Sequence, residues 1–370
     1  MAAPFDVCIR GAGIVGRTLA LLLARDRLRV ALVDAAAAAG RPADVRAYAL
    51  NAASRAILEA LRAWPEPVHA TPVTAMEVHG DAGGALTFRA TEEGVPALNW
   101  IVEVEPLLAR LGEAVRFQPR IELVQAPVAA KLTVVCEGRH SSTREAFGVQ
   151  FDVAPYPQRA IAARLQLERG HGQVARQWFI DGEVIGLLPL GGPDGQTVAL
   201  VWSVREERAD ELLALAPDAF AQRLRMACGD ALGAIQMVSE RAAWPLQRAT
   251  ADRWCGPGWV LAGDAAHNVH PLAGQGLNLG LGDALALADV LQHREYWREL
   301  GDVRLLRRYE RRRKGDVLTM GLTSEALQQL FARPAETWVR ARNWGLSGFD
   351  RSGPIKHWAA RVAMGTAHAA

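Results

Sequence analysis

A glycine-rich turn close to the N-terminus constrains the fold of this chain more than any other feature. Residues 5–10 (FDVCIR) form an apolar run typical of a buried strand, the spacing GxGxxG follows, and residues 18–24 have helical apolar spacing. Residues 29–34 (RVALVD) predict a second strand, whose nearly continuous apolar character favours a parallel sheet covered on both faces. This order predicts a βαβ unit and therefore an α/β fold of the Rossmann type.

Each small or acidic residue of this unit has a physical use in binding a dinucleotide. Gly11 permits the tight turn, Gly13 lets the backbone approach a pyrophosphate, and Gly16 lets the helix pack closely on the strand. The free N–H groups and partial positive charge of the helix N-terminus favour phosphate. Asp34 can accept hydrogen bonds from a ribose diol, and its charge disfavours a 2′-phosphate. The motif alone leaves FAD and NAD as alternatives.

A second glycine-rich segment, LAGDAAHNVHPLAGQGLNLG at residues 261–280, narrows the choice of cofactor. A strand is predicted to end at Asp264, whose carboxylate can hydrogen-bond the ribityl hydroxyls of a flavin or a water on its phosphate side. The helix that follows is predicted to open at Gly274, Gln275, Gly276, Leu277 and Asn278. Backbone N–H groups there can face a flavin C2 carbonyl, where negative charge collects on reduction. Since a nicotinamide site does not need this second cradle, the segment predicts FAD.

This segment resembles the second FAD fingerprint of the class A flavoprotein aromatic hydroxylases, and within them the 2-polyprenylphenol hydroxylases of ubiquinone biosynthesis. Further similar stretches cover nearly the whole chain: DVRAYALNAAS at 44–54, GLLPL at 186–190, YERRRKGD at 309–316 and GFDRSGPIKHWAARVAMG at 348–365. The resemblance implies a Rossmann-like FAD-binding domain of the glutathione-reductase type, similar to p-hydroxybenzoate hydroxylase. It also implies an inserted substrate domain with an antiparallel sheet, and C-terminal helices.

The length and the change of pattern along the chain agree with more than one domain. A chain of 370 residues predicts about two domains. From Thr71 onward a hairpin signal and several partly alternating runs indicate an antiparallel sheet that interrupts the α/β part. We therefore expect a discontinuous FAD-binding domain at 1–70, 99–150 and 250–300, a substrate domain at 71–98 and 151–249, and a helical region at 301–370.

The resemblance implies uses for individual residues of these motifs. Arg46 corresponds to the family arginine that contacts the FAD pyrophosphate, with a solvated loop arginine as the alternative. Asp264 corresponds to the flavin-facing aspartate, with a helix cap as the alternative. Pro271 is expected beside the flavin ring, and His267 and His270 are either near the flavin or structural. No side chain is assigned as catalytic, because the chemistry of this family belongs largely to the flavin.

A third motif departs from the family pattern. Residues 137–144 (EGRHSSTR) resemble D-G-x-x-S-x-x-R, which lies at the FAD diphosphate in this family and is linked to NAD(P)H use, so Gly138 is expected at the cofactor. Glu137 replaces the aspartate, and its extra methylene is expected to strain a fixed hydrogen-bond geometry; a turn with a helix cap is the alternative. Only thirteen residues separate Phe117 from Lys131, where the family has a longer β-meander. We expect this shortening to reduce the cover over the FAD-binding domain and to alter the surface where NAD(P)H docks.

The reaction implied by the resemblance is the hydroxylation of a polyprenylphenol ring with NADH or NADPH and O2, through a C4a-hydroperoxyflavin. The substrate is expected to lie against the antiparallel sheet, at Trp178, Phe179, Leu187, Leu188, Pro189 and Trp202. Core packing is the alternative for each of these side chains. Two other functions stay open: hydroxylation of a soluble aromatic compound, and a non-catalytic FAD-binding scaffold in a quinone-biosynthesis complex.

Composition and charge exclude several other classes. With 42 basic and 40 acidic residues, the formal net charge of +2 gives no electrostatic case for nucleic-acid binding. Four widely spaced cysteines favour neither a disulfide framework nor a zinc site, and no spacing predicts another metal. Without a basic leader or an apolar run of membrane-spanning length, we expect a cytoplasmic protein. A polyprenyl substrate then requires transient contact with the inner face of the membrane, or delivery by other ubiquinone-biosynthesis proteins. The segment 356–364 either contacts the membrane or packs onto the body.

Overall fold

The computed structural model describes residues 4–34, 44–80, 84–229, 232–268 and 276–332, and their side chains up to residue 321. The strands are β1 (Phe5–Arg10), β2 (Val30–Val33), β3 (Ala47–Leu50), β4 (Ala70–Val73), β5 (Ala75–His79), β6 (Ala85–Arg89), β7 (Asn99–Glu103), β8 (Ile121–Val124), β9 (Ala130–Val135), β10 (Phe151–Leu167), β11 (Val174–Ile180), β12 (Glu183–Leu190), β13 (Thr197–Arg205), β14 (Ile235–Met237), β15 (Ala242–Ala251), β16 (Cys255–Gly256), β17 (Trp259–Leu261) and β18 (His267–Asn268). The helices are α1 (Ile14–Arg25), α2 (Ala52–Ala60), α3 (Val104–Arg116), α4 (Ser142–Ala146), α5 (Glu206–Ala214), α6 (Pro217–Cys228), α7 (Gly276–Gln292) and α8 (Val303–Ala332).

A six-stranded sheet in the order β16-β17-β9-β1-β2-β8 forms the first layer, and its neighbours are parallel except β16 and β17. The helices α1, α3 and α7 pack on one face, against side chains such as Val7, Ile9 and Leu32. On the other face Cys8, Ala31 and Val33 form a separate buried cluster with Val124, Val128 and Ala130. Burial on both faces explains why β1, β2 and β9 are almost continuously apolar. The predicted βαβ unit at the N-terminus is confirmed. Because β1, β9 and β17 run in the same direction, their carboxyl ends meet at one edge of the sheet. Ligands of open α/β sheets bind at this edge.

The second layer is a nine-stranded sheet with the path β18-β15-β10-β13-β12-β11-β5-β6, and β14 pairs with β10. It is antiparallel apart from the β5–β11 pair, and the predicted hairpin is present as β5 and β6. One face of this sheet packs on α5 and α6, where Phe220 and Leu224 help to fill an apolar core. The inner face packs against a small antiparallel sheet in the order β3-β7-β4.

Sheet membership differs from the expected domain division at two places. Thr71 in β4 pairs with Ile101 of β7, although residues 71–98 were expected in the substrate domain. Asn268 in β18 pairs with Ala249 of β15, although residues 250–300 were expected in the FAD-binding domain and residues 151–249 in the substrate domain. Only Thr74 separates β4 from β5, so the sequence pattern continues across the point where the chain changes sheets.

The C-terminal region is helical as far as it is described. The helix α8 packs on α7, and its Tyr309 is fully buried with the hydroxyl donating to the carbonyl oxygen of Leu261. The predicted breaks at Pro334 and 345–354, and the segment 356–364, lie outside the described residues. In the described part of the chain, no helix combines the length and apolarity that crossing a bilayer requires.

Candidate cofactor site

Gly11 and Gly16 are required by the packing of the first glycine-rich turn itself. The φ of Gly11 is +109°, in the left-handed region, and a Cβ there would overlap the carbonyl oxygen of Cys136 after β9. A Cβ on Gly16 would overlap the carbonyl oxygen of Gly11, so α1 and the end of β1 approach as closely as glycine allows. The tight turn and the close packing predicted for these two residues are present.

Gly13 is a glycine for which the protein provides no internal reason. It caps α1 with a φ of −76°, which any residue can adopt, and a Cβ there would meet no atom within 4 Å. The residue is exposed, at the N-terminus of a helix whose first turn contains no acidic side chain. The open space above its backbone, beside free helix N–H groups, fits a phosphate group.

Asp34 directly follows β2 at the same edge of the sheet. Its Oδ2 accepts a hydrogen bond from Nη2 of Arg17 at 3.2 Å, and each side chain is 15% exposed. Arg17 is held in turn by the carbonyl oxygens of Ala12 and Leu108. The sequence interpretation did not single out Arg17, although its place directly after the last glycine of the motif was a usable signal.

Asp264 lies in the short 3-10 turn Gly263–Ala265 that follows β17. Its surface is open to solvent, yet protein atoms crowd the carboxyl group, and this desolvation raises its pKa. The charges of His267, Arg46 and Arg139 oppose the shift, so these three side chains lie within electrostatic range of the carboxyl group.

Arg46 stands near this carboxylate on the segment that leads into β3. Its Nε donates to Oδ1 of Asp44 at 2.8 Å and its Nη2 to Oδ2 at 2.6 Å, and this pairing raises the pKa of Arg46. Half of the Arg46 side chain stays exposed. A planar guanidinium in this position can bind a diphosphate bidentately if it gives up one or both of its hydrogen bonds to Asp44.

The opening of α7 forms the second glycine cradle. A Cβ on Gly276 would meet no atom within 4 Å, as at Gly13, whereas Leu277 is buried in the core below it. Four residues expected at the flavin lie outside the described residues: His270, Pro271, Gly274 and Gln275. Among the described residues, no atom lies within 4 Å of a Cβ built on Gly13 or Gly276, the two positions that a flavin would need open, so the described part of the chain fits the cofactor.

Asn278 has its side chain turned into the protein. Its Oδ1 accepts from the backbone N–H of Asn51 at 3.0 Å and from Oγ of Ser54 at 2.7 Å, while its Nδ2 donates to the carbonyl oxygen of Ala49 at 2.8 Å. This amide therefore fixes β3 and α2 to the first turn of α7. At this position only the backbone faces the cradle, which agrees with the predicted use of backbone N–H groups.

Glu137 does not produce the strain expected from its extra methylene. Its carboxylate accepts from Oγ of Ser141 at 2.7 Å and from Oγ1 and N of Thr143 at 2.6 and 3.2 Å, and it lies 2.9 Å from Nε of Arg10. Burial acts to raise the pKa of Glu137, but these hydrogen bonds outweigh it and lower the pKa. The longer side chain is accommodated because it caps the short helix α4, which was the alternative interpretation.

The third motif is hydrogen-bonded to the turn that carries Asp264. Gly138 has a φ of +81° and needs glycine for that reason. The buried guanidinium of Arg144 donates to the carbonyl oxygen of Ala265 at 3.1 Å and to that of Arg139 at 2.9 Å. It thereby connects the third motif to the turn that carries Asp264.

Sequence relatives agree with this geometry over the full chain. A family model described as an FAD binding domain matches residues 86–319. The ubiquinone hydroxylase UbiL of Rhodospirillum rubrum is 32% identical, covering 98% of this chain and 90% of that protein. The 3-demethoxyubiquinol 3-hydroxylase of Escherichia coli is 29% identical, covering 98% of this chain and 99% of that protein. The chain belongs to the FAD-dependent ubiquinone-biosynthesis hydroxylases.

Solved structures show the same fold at lower sequence identity. PqsL of Pseudomonas aeruginosa superposes with a TM-score of 0.78 at 24% identity, covering 93% of this chain and 99% of the other. The p-nitrophenol 4-monooxygenase PnpA of Pseudomonas putida has a TM-score of 0.79 at 16% identity and covers 99% of both chains. The mixed α/β architecture with an inserted sheet is therefore that of FAD-dependent monooxygenases, and FAD is the cofactor of this hydroxylase.

The predicted substrate contacts at Trp178 and Trp202 of this hydroxylase are wrong. Trp202 is fully buried, packs against Phe220 of α6 and donates from Nε1 to Glu183 at 3.0 Å. Trp178 is 7% exposed, belongs to the same core and stacks on His79. Both side chains point to the face of the sheet that the helices cover, so they are core residues.

The inner face of the hydroxylase's sheet carries a different set of side chains. Leu187 lies in the helix-covered core, and strand alternation places Pro189 on that face too, whereas Leu188 packs towards β3 and stays a candidate. Register and alternation place small or apolar residues beside Leu188 on the inner face: Ala160, Ala162, Phe179, Val184, Gly186, Val201 and Ser203. These residues form what we call the inner-face patch.

The sequence interpretation also missed a buried acid of this hydroxylase, Asp283 in α7, and its partner Arg313 in α8. A single carboxylate within the otherwise uncharged stretch 276–288 was the available signal. No group of three potential metal ligands is found among the residues that the structure describes.

Proposed function

We propose that this chain hydroxylates the aromatic ring of a polyprenylphenol in ubiquinone biosynthesis, using NADH or NADPH and O2. The observation that carries the proposal is the full-length similarity to proteins named as ubiquinone hydroxylase and demethoxyubiquinol hydroxylase, on a chain whose two glycine cradles fit FAD. The hydroxylation of a soluble aromatic compound has no such support.

The proposed cofactor contacts are distributed over both cradles. We assign the phosphates to Gly13 and Arg46, the adenosine ribose to Asp34, and the ribityl–flavin part to Asp264 and the opening of α7. The complete set is Gly11, Gly13, Gly16, Asp34, Arg46, Gly138, Asp264, Pro271, Gly274, Gln275, Gly276, Leu277 and Asn278. Bound FAD supplies the electron transfer from NAD(P)H and the activation of O2.

The chain's own contribution is to bind the ring, orient it and exclude water. The inner-face patch is proposed as the surface against which the phenol ring lies. Its partly exposed members are Val184, Gly186 and Val201, and Gly186 leaves room for a flat ring, whereas Ala160, Ala162, Phe179 and Ser203 are buried behind them. The proposed reaction does not require a carboxylate or histidine at this surface, since the cofactor supplies the activated oxygen.

Contact with a membrane is proposed for a surface at the end of α7. In the α7–α8 loop, Tyr296 is 95% and Trp297 67% exposed. The first turns of α8 present exposed arginines beside them, at Arg304, Arg307, Arg308, Arg311 and Arg312. Exposed tyrosine, tryptophan and arginine together suit the interface of an anionic bilayer, which a polyprenyl substrate occupies. We call this the aromatic–arginine surface.

The reaction is tested with the purified flavoprotein. We expect NAD(P)H oxidation stimulated by a short-chain polyprenylphenol, with a hydroxylated ring detected by mass spectrometry. In a strain that lacks the protein, the matching unhydroxylated phenol should accumulate. Stably bound FAD that neither NADH nor NADPH reduces would favour the scaffold alternative instead.

A further inference from the structure

One carboxylate beside the flavin-facing turn is completely enclosed by protein. Asp283 in α7 has no exposed surface. Its Oδ2 accepts from the backbone N–H of Gly263 at 2.9 Å and lies 2.6 Å from Nε2 of His267, while its Oδ1 accepts from Nε of Arg313 at 2.7 Å. The two oxygens of one side chain therefore hold three partners.

Each partner of Asp283 comes from a different part of the fold. Gly263 begins the turn that carries Asp264, His267 lies in β18 at the edge of the nine-stranded sheet, and Arg313 lies in α8. The residue itself is on α7, whose opening forms the second glycine cradle. A single buried group thus connects both parts of the flavin-facing surface with the substrate sheet and the C-terminal helix.

The charge of Asp283 is maintained in spite of its burial. Burial acts to raise the pKa of this carboxyl, but His267 and Arg313 outweigh it and hold the pKa below the ordinary value. Arg313 is itself almost buried and also donates to the carbonyl oxygen of Leu279 and to Asp316. The pair is therefore ionised, and neither charge can be removed alone without stranding the other.

Aromatic rings fix the position of His267. The indole of Trp254 stacks on the imidazole with centroids 4.9 Å apart and planes at 25°. Tyr309 packs against the same indole and bonds the carbonyl oxygen of Leu261, the last residue of β17. The imidazole consequently has one neighbour on its face and one at its Nε2, so its orientation depends on Asp283.

We infer that Asp283 is a positioning residue for the cofactor, with Arg313 as its counter-charge. It acts through the N–H of Gly263 and through His267 to hold the turn in the geometry that presents Asp264 to the flavin. Through Arg313, α8 then becomes part of the support of the cofactor site. The inference rests on the proposed placement of Asp264 at the flavin.

The test compares two variants in FAD binding to the apoprotein, measured by quenching of FAD fluorescence, and in the visible circular dichroism of the bound flavin. Asp283→Asn keeps the shape and removes the charge, and we expect at least a tenfold weaker Kd for FAD and an altered dichroism spectrum. D283L/R313M removes both charges. We expect its apoprotein to melt at a higher temperature than that of Asp283→Asn, because no charge is stranded, while FAD binding stays weak, because Gly263 and His267 have lost their acceptor.

Asp289→Asn is the matched control, since Asp289 on the same helix pairs with Arg312 of α8 at the surface. It should leave FAD affinity and the dichroism spectrum unchanged. Recovery of wild-type affinity and spectrum in D283L/R313M would overturn the inference and leave the pair a purely structural role. These readouts need no substrate, so a chain that fails to hydroxylate a polyprenylphenol could still support it. A wild-type chain that takes up no FAD would instead remove the placement of Asp264.

Discussion

The three glycines of the first turn are glycine for different reasons. Gly11 and Gly16 are needed because a Cβ would overlap backbone atoms, so the folded chain requires them with or without a ligand. Gly13 has an ordinary φ and meets no described atom, so the described part of the fold does not require glycine there. Its proposed use is to let a phosphate approach the backbone.

This difference predicts opposite outcomes for two alanine substitutions. G16A should lower the melting temperature of the apoprotein, because the backbone must shift to relieve the overlap with Gly11. G13A should leave that temperature within the error of the wild type and weaken FAD binding at least tenfold. Thermal melts and FAD titrations of both apoproteins measure the two effects. Unchanged FAD affinity in G13A would contradict the assignment of a phosphate to this turn.

The ionised carboxylate of Asp264 is expected to lower the stability of the folded apoprotein. Desolvation raises its pKa, so the folded apoprotein binds a proton at this group more readily than the unfolded chain does. The unfavourable contribution is therefore absent at a pH below the unfolded pKa and appears as the pH rises through the folded pKa. Asp264→Asn should raise the melting temperature of the apoprotein at pH 7, with little difference at pH 3.5, while weakening FAD binding.

Melts of both proteins across this pH range, without FAD, provide the measurement. Asp152→Asn, at an exposed position of β10, serves as the control for removing a carboxylate. An Asp264→Asn variant that melts below the wild type at pH 7 would show that the charge stabilises the apoprotein, contrary to the pKa shift.

At the scale of elements, the side chains of two adjacent residues of β13 point to opposite faces of the sheet. Trp202 points into the helix-covered core and Val201 to the inner-face patch. Trp202→Phe removes a buried indole and the hydrogen bond to Oε2 of Glu183, whose Oε1 still pairs with Arg208. It should destabilise the protein by about 2–3 kcal/mol with an unchanged KM for the phenol. Val201→Ala should instead change the KM for the phenol with a smaller loss of stability. Denaturant melts and steady-state kinetics separate the two, and a selective KM effect of Trp202→Phe would count against the assigned faces.

The elements also show how far the sequence could predict the site. The βαβ unit and the opening of α7 follow from local rules, since each glycine acts on its immediate neighbours. Both faces of β12 and β13 carry apolar side chains, and the local sequence does not indicate which face the helices cover. The substrate contacts predicted at Trp178 and Trp202 were wrong for this reason. Asp283 and Arg313 are 30 positions apart in sequence, and their contact depends on how α7 and α8 pack.

At the scale of the whole molecule, the aromatic–arginine surface predicts binding to anionic vesicles. The protein should co-sediment with phosphatidylglycerol-containing vesicles and less with pure phosphatidylcholine, and salt should weaken the binding. Y296S/W297S and R304E/R307E/R311E should each reduce the bound fraction several-fold. Arg223→Glu, at an exposed position of α6, is the matched control and should bind like the wild type. Equal binding by all of these proteins would place any membrane contact elsewhere.

The hydrogen bonds between β18 and β15 have a consequence for how this enzyme unfolds and loses its cofactor. Three residues after Asp264 the chain joins the edge of the nine-stranded sheet, so the carboxylate proposed for the flavin and the sheet proposed for the phenol share one stretch of backbone. Neither layer can separate from the other without breaking the hydrogen bonds between β18 and β15. Loss of the yellow colour and melting of the substrate sheet should consequently coincide on heating, as one cooperative event.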